Sequence, residues 1–267
     1  MRAGYYTTAG ALAVLFLFPL LWSGYSSVHG QAGTSQESGF GFGNYVAMAQ
    51  YGEGVGTYLA NTAAVSLMTV VGTLVVSGLG GYGFARFSFP GKNVLFLATL
   101  AILMVPYATI LIPLYVVLGH LRLQNSLVGL SLVLIMFQLP FALFMMRNSF
   151  EAVPRELEEA AMVDGCTTFG ALRRILVHAV RPGLITVGLF AFLASWNDFF
   201  APLILLNDGS KFTLPLAVVS MREQTFGAID FGALEAGVMV MALPCLMLFL
   251  VLQRHYVQGF MSGAVRG

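Results

Sequence analysis

The sequence predicts an all-α integral membrane protein with six transmembrane helices. Three observations predict it. Of 267 residues, 58% are hydrophobic and only 9% charged, where soluble domains carry roughly 25%. Several uncharged runs exceed the about 20 residues that a helix needs to cross a bilayer. The Lys and Arg residues also gather in alternate connections between those runs. The formal charge of +1 says nothing useful about nucleic-acid or acidic partners, and no nucleic-acid partner is expected.

The first span is expected from about Tyr6 to Val28. Arg2 and the apolar run Ala9 to Trp22 have the shape of a signal peptide. They lack a clear small-residue cleavage site and precede five more apolar segments, so a retained span is predicted. A Gly/Ser/Gln-rich loop without Lys or Arg follows, from His29 to Glu53. The second span is expected at Thr57 to Gly80, ending in a turn that carries Arg86 and Lys92. The third, Asn93 to Leu118, contains Pro106 and Pro113, and a brief turn holds His120 and Arg122. The fourth runs from Asn125 to Met146. A charged region, Arg147 to Arg181, separates it from the fifth at Gly183 to Leu206. A polar loop leads to the sixth at Ala236 to Leu252.

The positive-inside rule orients these spans. With both termini in the cytoplasm, Arg2, Arg86, Lys92, Arg147, Arg155, Arg173, Arg174, Arg181, Arg254 and Arg266 are cytoplasmic. Arg122, Lys211 and Arg222 alone lie outside. The charged region between spans four and five is therefore expected in the cytoplasm.

That region reads as helix, glycine elbow, helix. Pro154 suits a first helical position, and Glu156, Glu158 and Glu159 suit the positive end of the helix dipole. Gly165 is placed for a left-handed terminus, and Thr167 or Thr168 for the next cap. Phe169, Leu172, Ile175, Leu176 and Ala179 then recur at helical spacing.

Prolines mark other positions. Pro106, Pro140 and Pro244 fall near mid-span, where a missing N–H kinks the helix. Such breaks persist where they pack on protein or line a wet cavity, and transporters place substrate at them. Ser77, Gly81 and Ala85, four apart, allow close helix approach.

Chemistry of other kinds is absent from the sequence. The four histidines are scattered, so no metal site and no catalytic residue are expected. Cys166 and Cys245 fall at different depths and are not expected to pair. Phe89-Pro90-Gly91-Lys92-Asn93 lacks the first glycine and final hydroxyl of a phosphate loop. Asp198 is the clear carboxylate inside a span, too few for ion coupling. No cofactor is expected on this chain, and energy for transport must enter from elsewhere.

Glu159-Ala160-Ala161, Asp164-Gly165 and, after nine intervening residues, Ile175-Leu176-Val177 resemble the EAA loop of ABC importer permease subunits. The resemblance extends to the shorter second permease of maltose-type sugar importers. Gly81-Tyr82-Gly83-Phe84-Ala85-Arg86-Phe87-Ser88-Phe89-Pro90-Gly91-Lys92 is similar to their turn after the second span. Trp196-Asn197-Asp198-Phe199-Phe200-Ala201-Pro202-Leu203, Thr213-Leu214-Pro215-Leu216 and the ending Ser262-Gly263-Ala264-Val265-Arg266-Gly267 also fit. The chain departs from the family at Val177-His178, where Leu-Pro is usual and proline is delayed to Pro182.

The resemblance implies the ABC type I importer permease fold. Residues 1–56 would hold the first span and an extracytoplasmic loop, 57–255 the transmembrane core, and 256–267 a cytoplasmic tail. Within the core, a coupling loop at about 154–178 would seat Glu159, Ala160, Ala161, Asp164, Gly165 and Ile175 on an ABC ATPase subunit. Ser262, Gly263 and Arg266 of the tail would touch that ATPase too, which binds the ATP and Mg. A second permease and an extracytoplasmic substrate-binding protein are the further implied partners, in a bacterial cytoplasmic membrane. Candidate sugar contacts are Tyr107, Gln138, Asn197 and Asp198, because amides and carboxylates bind hydroxyls and an aromatic face covers C–H surface. A permease for a non-sugar solute, a secondary carrier or channel working alone, and a membrane scaffold are the alternatives.

Overall fold

The computed structural model describes the backbone of residues 2–30, 38–221 and 230–264, and the side chains of 4–30, 38–221 and 230–251. In chain order the helices are α1 (Arg2–Val28), α2 (Gly43–Gln50), α3 (Val55–Arg86), α4 (Lys92–Ala101), α5 (Tyr107–His120) and α6 (Leu127–Glu151). They continue as α7 (Arg155–Val163), α8 (Thr168–Ala171), α9 (Val177–Ala179), α10 (Arg181–Trp196), α11 (Phe200–Leu205), α12 (Leu214–Ser220) and α13 (Phe231–Ala264). A π turn, Leu172–Leu176, joins α8 to α9.

Among the described residues, four stretches are long and apolar enough to cross a membrane: Gly4–Val28, Val55–Arg86, Leu127–Glu151 and Phe231–Val251. Two more qualify only as bent pairs. Lys92–Met104 and Tyr107–His120 meet at 108°, and Thr168–Ala179 and Arg181–Trp196 at 78°. The protein is therefore an all-helical, multi-pass membrane protein, but its third span is not one kinked helix. Val105 and Pro106 are extended, as the residue before a proline prefers, and the chain turns sharply there. The fifth span likewise stops at Trp196 and resumes as α11.

The described residues fall into two compact units, 1–61 with 208–248 and 62–207 with 249–267. In the first, two segments expected as loops contain helix. The buried Asn44 pins α2 to the end of α1, its Nδ2 donating to the Ser27 carbonyl at 3.1 Å. Asn61 Nδ2 holds the 208–213 stretch through the Ser210 and Phe212 carbonyls, at 2.9 and 3.0 Å. Then α12 buries Leu214, Leu216 and Ala217 with Met48, Tyr58 and Ala236. A stretch rich in polar residues thus hides an apolar helix, because Pro215 and Thr213 start one at its first turn. Most of α1 is apolar and exposed (Phe16 is 76% exposed), the character of a surface that faces hydrocarbon.

In the second unit, α6 packs on α10 and α4, while α11 packs on α5 and α6. The close approach of α3 to α6 is set by Gly81. A Cβ there would come within 2.9 Å of the Arg147 backbone nitrogen and 2.5 Å of Met146 Cβ. Around it, Tyr82, Ala85, Ala142, Met146, Phe150, Leu172, Leu176 and Val187 form one buried cluster. Arg147 stays useful at the edge of this cluster: its Nε meets Glu151 at 2.8 Å, and its guanidinium lies 4.3 Å over the Phe96 ring.

Candidate functional site

The charged region folds as the sequence predicts, with one shift. Pro154 stands just before α7 instead of at its first position. The helix ends in a Schellman motif: the Cys166 N–H donates to the Ala161 carbonyl at 3.0 Å and the Gly165 N–H to Met162 at 3.1 Å. Gly165 carries the left-handed φ of +87° that this ending requires. Thr167 caps α8, its Oγ1 accepting the Gly170 N–H at 3.1 Å.

Past the cap, the helix widens into the π turn and runs through His178. It breaks at Val180, and Pro182 sits in the first turn of α10. Delaying the proline from 178 to 182 thus lengthens the arm before the 78° bend by about one helical turn.

Exposure divides α7 into two faces. Glu159, Ala160, Asp164 and Gly165 are exposed, as are the apolar Met162 and Val163, the latter at 87%. Ala161 is buried and Ile175 half-buried. Of the predicted coupling residues, four are therefore open to a partner and two pack inward.

The residue that ties α7 to the bundle is Glu158, to which the sequence reading gave only a helix-dipole role. It is 8% exposed. One carboxylate oxygen accepts a hydrogen bond from the Tyr82 hydroxyl. The other lies 3.1 Å from Arg86 Nε, a charge pair without the alignment of a hydrogen bond. Arg86 Nη2 also donates to the Val153 carbonyl at 2.8 Å, just before α7. Two features of the sequence carried this signal. Tyr82 and Arg86 are four apart, so they share a face of α3, and Glu158 shares a face with Ala161. Nothing local joins the two pairs.

Beside this anchor, Lys92 is not free to hold a phosphate. Gly91 turns with φ +76° and Lys92 Nζ donates to the Phe87 carbonyl at 3.0 Å.

The candidate pathway residues separate into two kinds. Tyr107 and Asp198 come together: the Tyr107 hydroxyl donates to Asp198 Oδ2 at 2.6 Å. Asp198 Oδ1 accepts the Ala201 N–H at 2.9 Å and so caps the start of α11. One hydrogen bond therefore joins the break in the third span to the break in the fifth. The edge of the Tyr107 ring also meets Phe137 of α6, centroids 4.5 Å apart. Gln138 follows Phe137 in the chain and Asn197 precedes Asp198. Gln138 is half-buried on α6. Asn197 is exposed, its Nδ2 donating to the Leu193 carbonyl at 2.8 Å. Trp196 is buried and stacks on Phe192. Ser262, Gly263 and Arg266 lie outside the residues whose side chains are described. Among the described residues no cluster of His, Cys, Asp or Glu could hold a metal.

The chain belongs to the family described as binding-protein-dependent transport system inner membrane component, whose model matches residues 77–261. It is 32% identical to the trehalose transport system permease protein SugB of Mycobacterium tuberculosis, covering 100% of this chain and 98% of that one. It is 36% identical to the diacetylchitobiose uptake system permease protein DasC of Streptomyces coelicolor, over 79% of this chain and 76% of the relative.

Among solved structures, a bacterial ABC transporter involved in import of the acidic polysaccharide alginate matches with a TM-score of 0.79 at 20% identity. The match covers 95% of each chain. A bacterial alginate ABC transporter in complex with an alginate pentasaccharide-bound periplasmic protein matches at 0.66 and 15% identity, over 94% and 93%. At these identities the likeness is one of fold.

Proposed function

We propose that this chain is a permease subunit of an ATP-driven importer that carries an oligosaccharide across the bacterial cytoplasmic membrane by alternating access. The observation that carries the proposal is α7: a short helix with a fixed end, an exposed mixed apolar and acidic face, and a buried glutamate joining it to a membrane-spanning helix. The names of the relatives, which transport trehalose and diacetylchitobiose, support a sugar substrate.

In this proposal both termini and α7 are cytoplasmic, as the distribution of Lys and Arg argues. Glu159, Ala160, Asp164, Met162 and Val163 form the face that seats on a cytoplasmic ATPase subunit, with Ala161 and Ile175 fixing it from behind and Ser262, Gly263 and Arg266 adding a tail contact. The ATPase holds ATP and Mg; this chain catalyses nothing. Movement of α7 is passed to α3 through Glu158, Tyr82 and Arg86, and to α10 through the π turn and the bend at Val180. A second permease completes the pathway, and the 207–233 connection meets an extracytoplasmic binding protein, a partner that the alginate-transporter complex supports. Tyr107 and Asp198 gate that pathway. Sugar hydroxyls compete for the same carboxylate, so substrate entry and release of the two breaks are linked.

The test is uptake and ATP turnover by the reconstituted complex. Replacing Gly165 and Glu159 together is expected to leave assembly and ATP hydrolysis in place while abolishing uptake. Normal uptake by that double variant would refute a coupling role for α7.

A further inference from the structure

The geometry points to a binding site for an anionic phospholipid beside the coupling segment, independent of what the chain transports. A groove of about 420 Å³, within the about 300–1,000 Å³ range of small-ligand sites, runs along α3 where it meets the π turn. Leu74, Gly78 and Leu79 form one wall, Phe150 and Leu184 the other, and Arg173 supplies its cation.

Three observations select a lipid. The walls are apolar almost throughout, and Gly78 leaves the face of α3 bare: a Cβ there would meet nothing within 4 Å. Arg173 is exposed and makes no ion pair or hydrogen bond among the described residues. It also stands on the π turn, about two turns before α10, where an apolar span gives way to the charged region. An acyl chain matches the groove, and a phosphate matches a guanidinium at the boundary of the bilayer. An uncharged apolar helix would fill the walls but leave the arginine without an anion, so charge complementarity favours the lipid. Arg173 requires a headgroup with negative charge.

The experiment exchanges the purified complex into bilayers of phosphatidylglycerol and phosphatidylcholine, then counts retained lipid by mass spectrometry. Wild type is expected to retain phosphatidylglycerol in preference. Arg173→Gln is expected to reduce that preference about fivefold, the effect of one arginine at an anionic surface. Gly78→Leu, whose Cβ has open space around it, is expected to occupy part of the groove and reduce retention of both lipids. A photoreactive phosphatidylglycerol on the unaltered complex is expected to label residues 74–79 or 172–184. Unchanged retention and preference in both variants overturns the proposal. So does labelling confined elsewhere, or a Gly78→Leu variant that loses another subunit while keeping its lipid.

Discussion

Arg86→Met is the perturbation that most directly tests how α7 is held. It leaves the Glu158 carboxylate at 8% exposure with the Tyr82 hydroxyl as its remaining partner. Removing one member of a buried ion pair costs about 3–5 kcal/mol, because the other charge stays desolvated. A helix of 9 residues can escape that cost locally by turning Glu158 out to water. The cost therefore goes into releasing α7 and not into unfolding the bundle, whose core around Met146 and Phe150 is untouched. At about 1.4 kcal/mol per factor of ten, a cost of about 3 kcal/mol raises the released population roughly a hundredfold.

Two measurements read this: amide hydrogen exchange over residues 155–165, and the ratio of substrate imported to ATP hydrolysed. Exchange is expected to speed and the ratio to fall, with ATP hydrolysis retained. The double variant Arg86→Met with Glu158→Met is expected to restore protection, since an apolar pair often replaces a buried ion pair at little cost. Wild-type protection and coupling in Arg86→Met alone would refute the anchor.

Further outcomes follow from the same geometry. Tyr82→Phe removes one hydrogen bond to a charged acceptor, about 1.5–3 kcal/mol, and should speed exchange at α7 less than Arg86→Met does. Gly165→Val should weaken the Schellman ending by about 1–2 kcal/mol through its left-handed backbone, and Gly165→Asn by less; exchange at Cys166 reports both. Gly81→Val should lower the amount of folded protein recovered from membranes, because its added carbons meet the Met146–Arg147 backbone. Tyr107→Phe should raise the half-saturating substrate concentration for uptake without changing recovery, and an unchanged value would remove Tyr107 from the pathway.

What the sequence by itself determined was local. The apolar runs, the end of α7 at Gly165 and the Thr167 cap each depend on backbone groups within a few residues, so composition and turn chemistry were enough to read them. The partners across the molecule were decided only by the tertiary structure. Glu158 finds Tyr82 and Arg86 from more than seventy positions away, and Asp198 finds Tyr107 from ninety-one. Pro106 announced a kink, but the 108° turn also needs the extended Val105 before it. The physical reason is that a helix apolar on every side carries no periodic mark of which face meets a neighbour. On α3 the small-residue row of Ser77, Gly81 and Ala85 marked a side for close approach, but which neighbour met Tyr82, Gly81 and Gly78, one for the anchor, one for α6 and one for the groove, was fixed by the rotation of the packed helices.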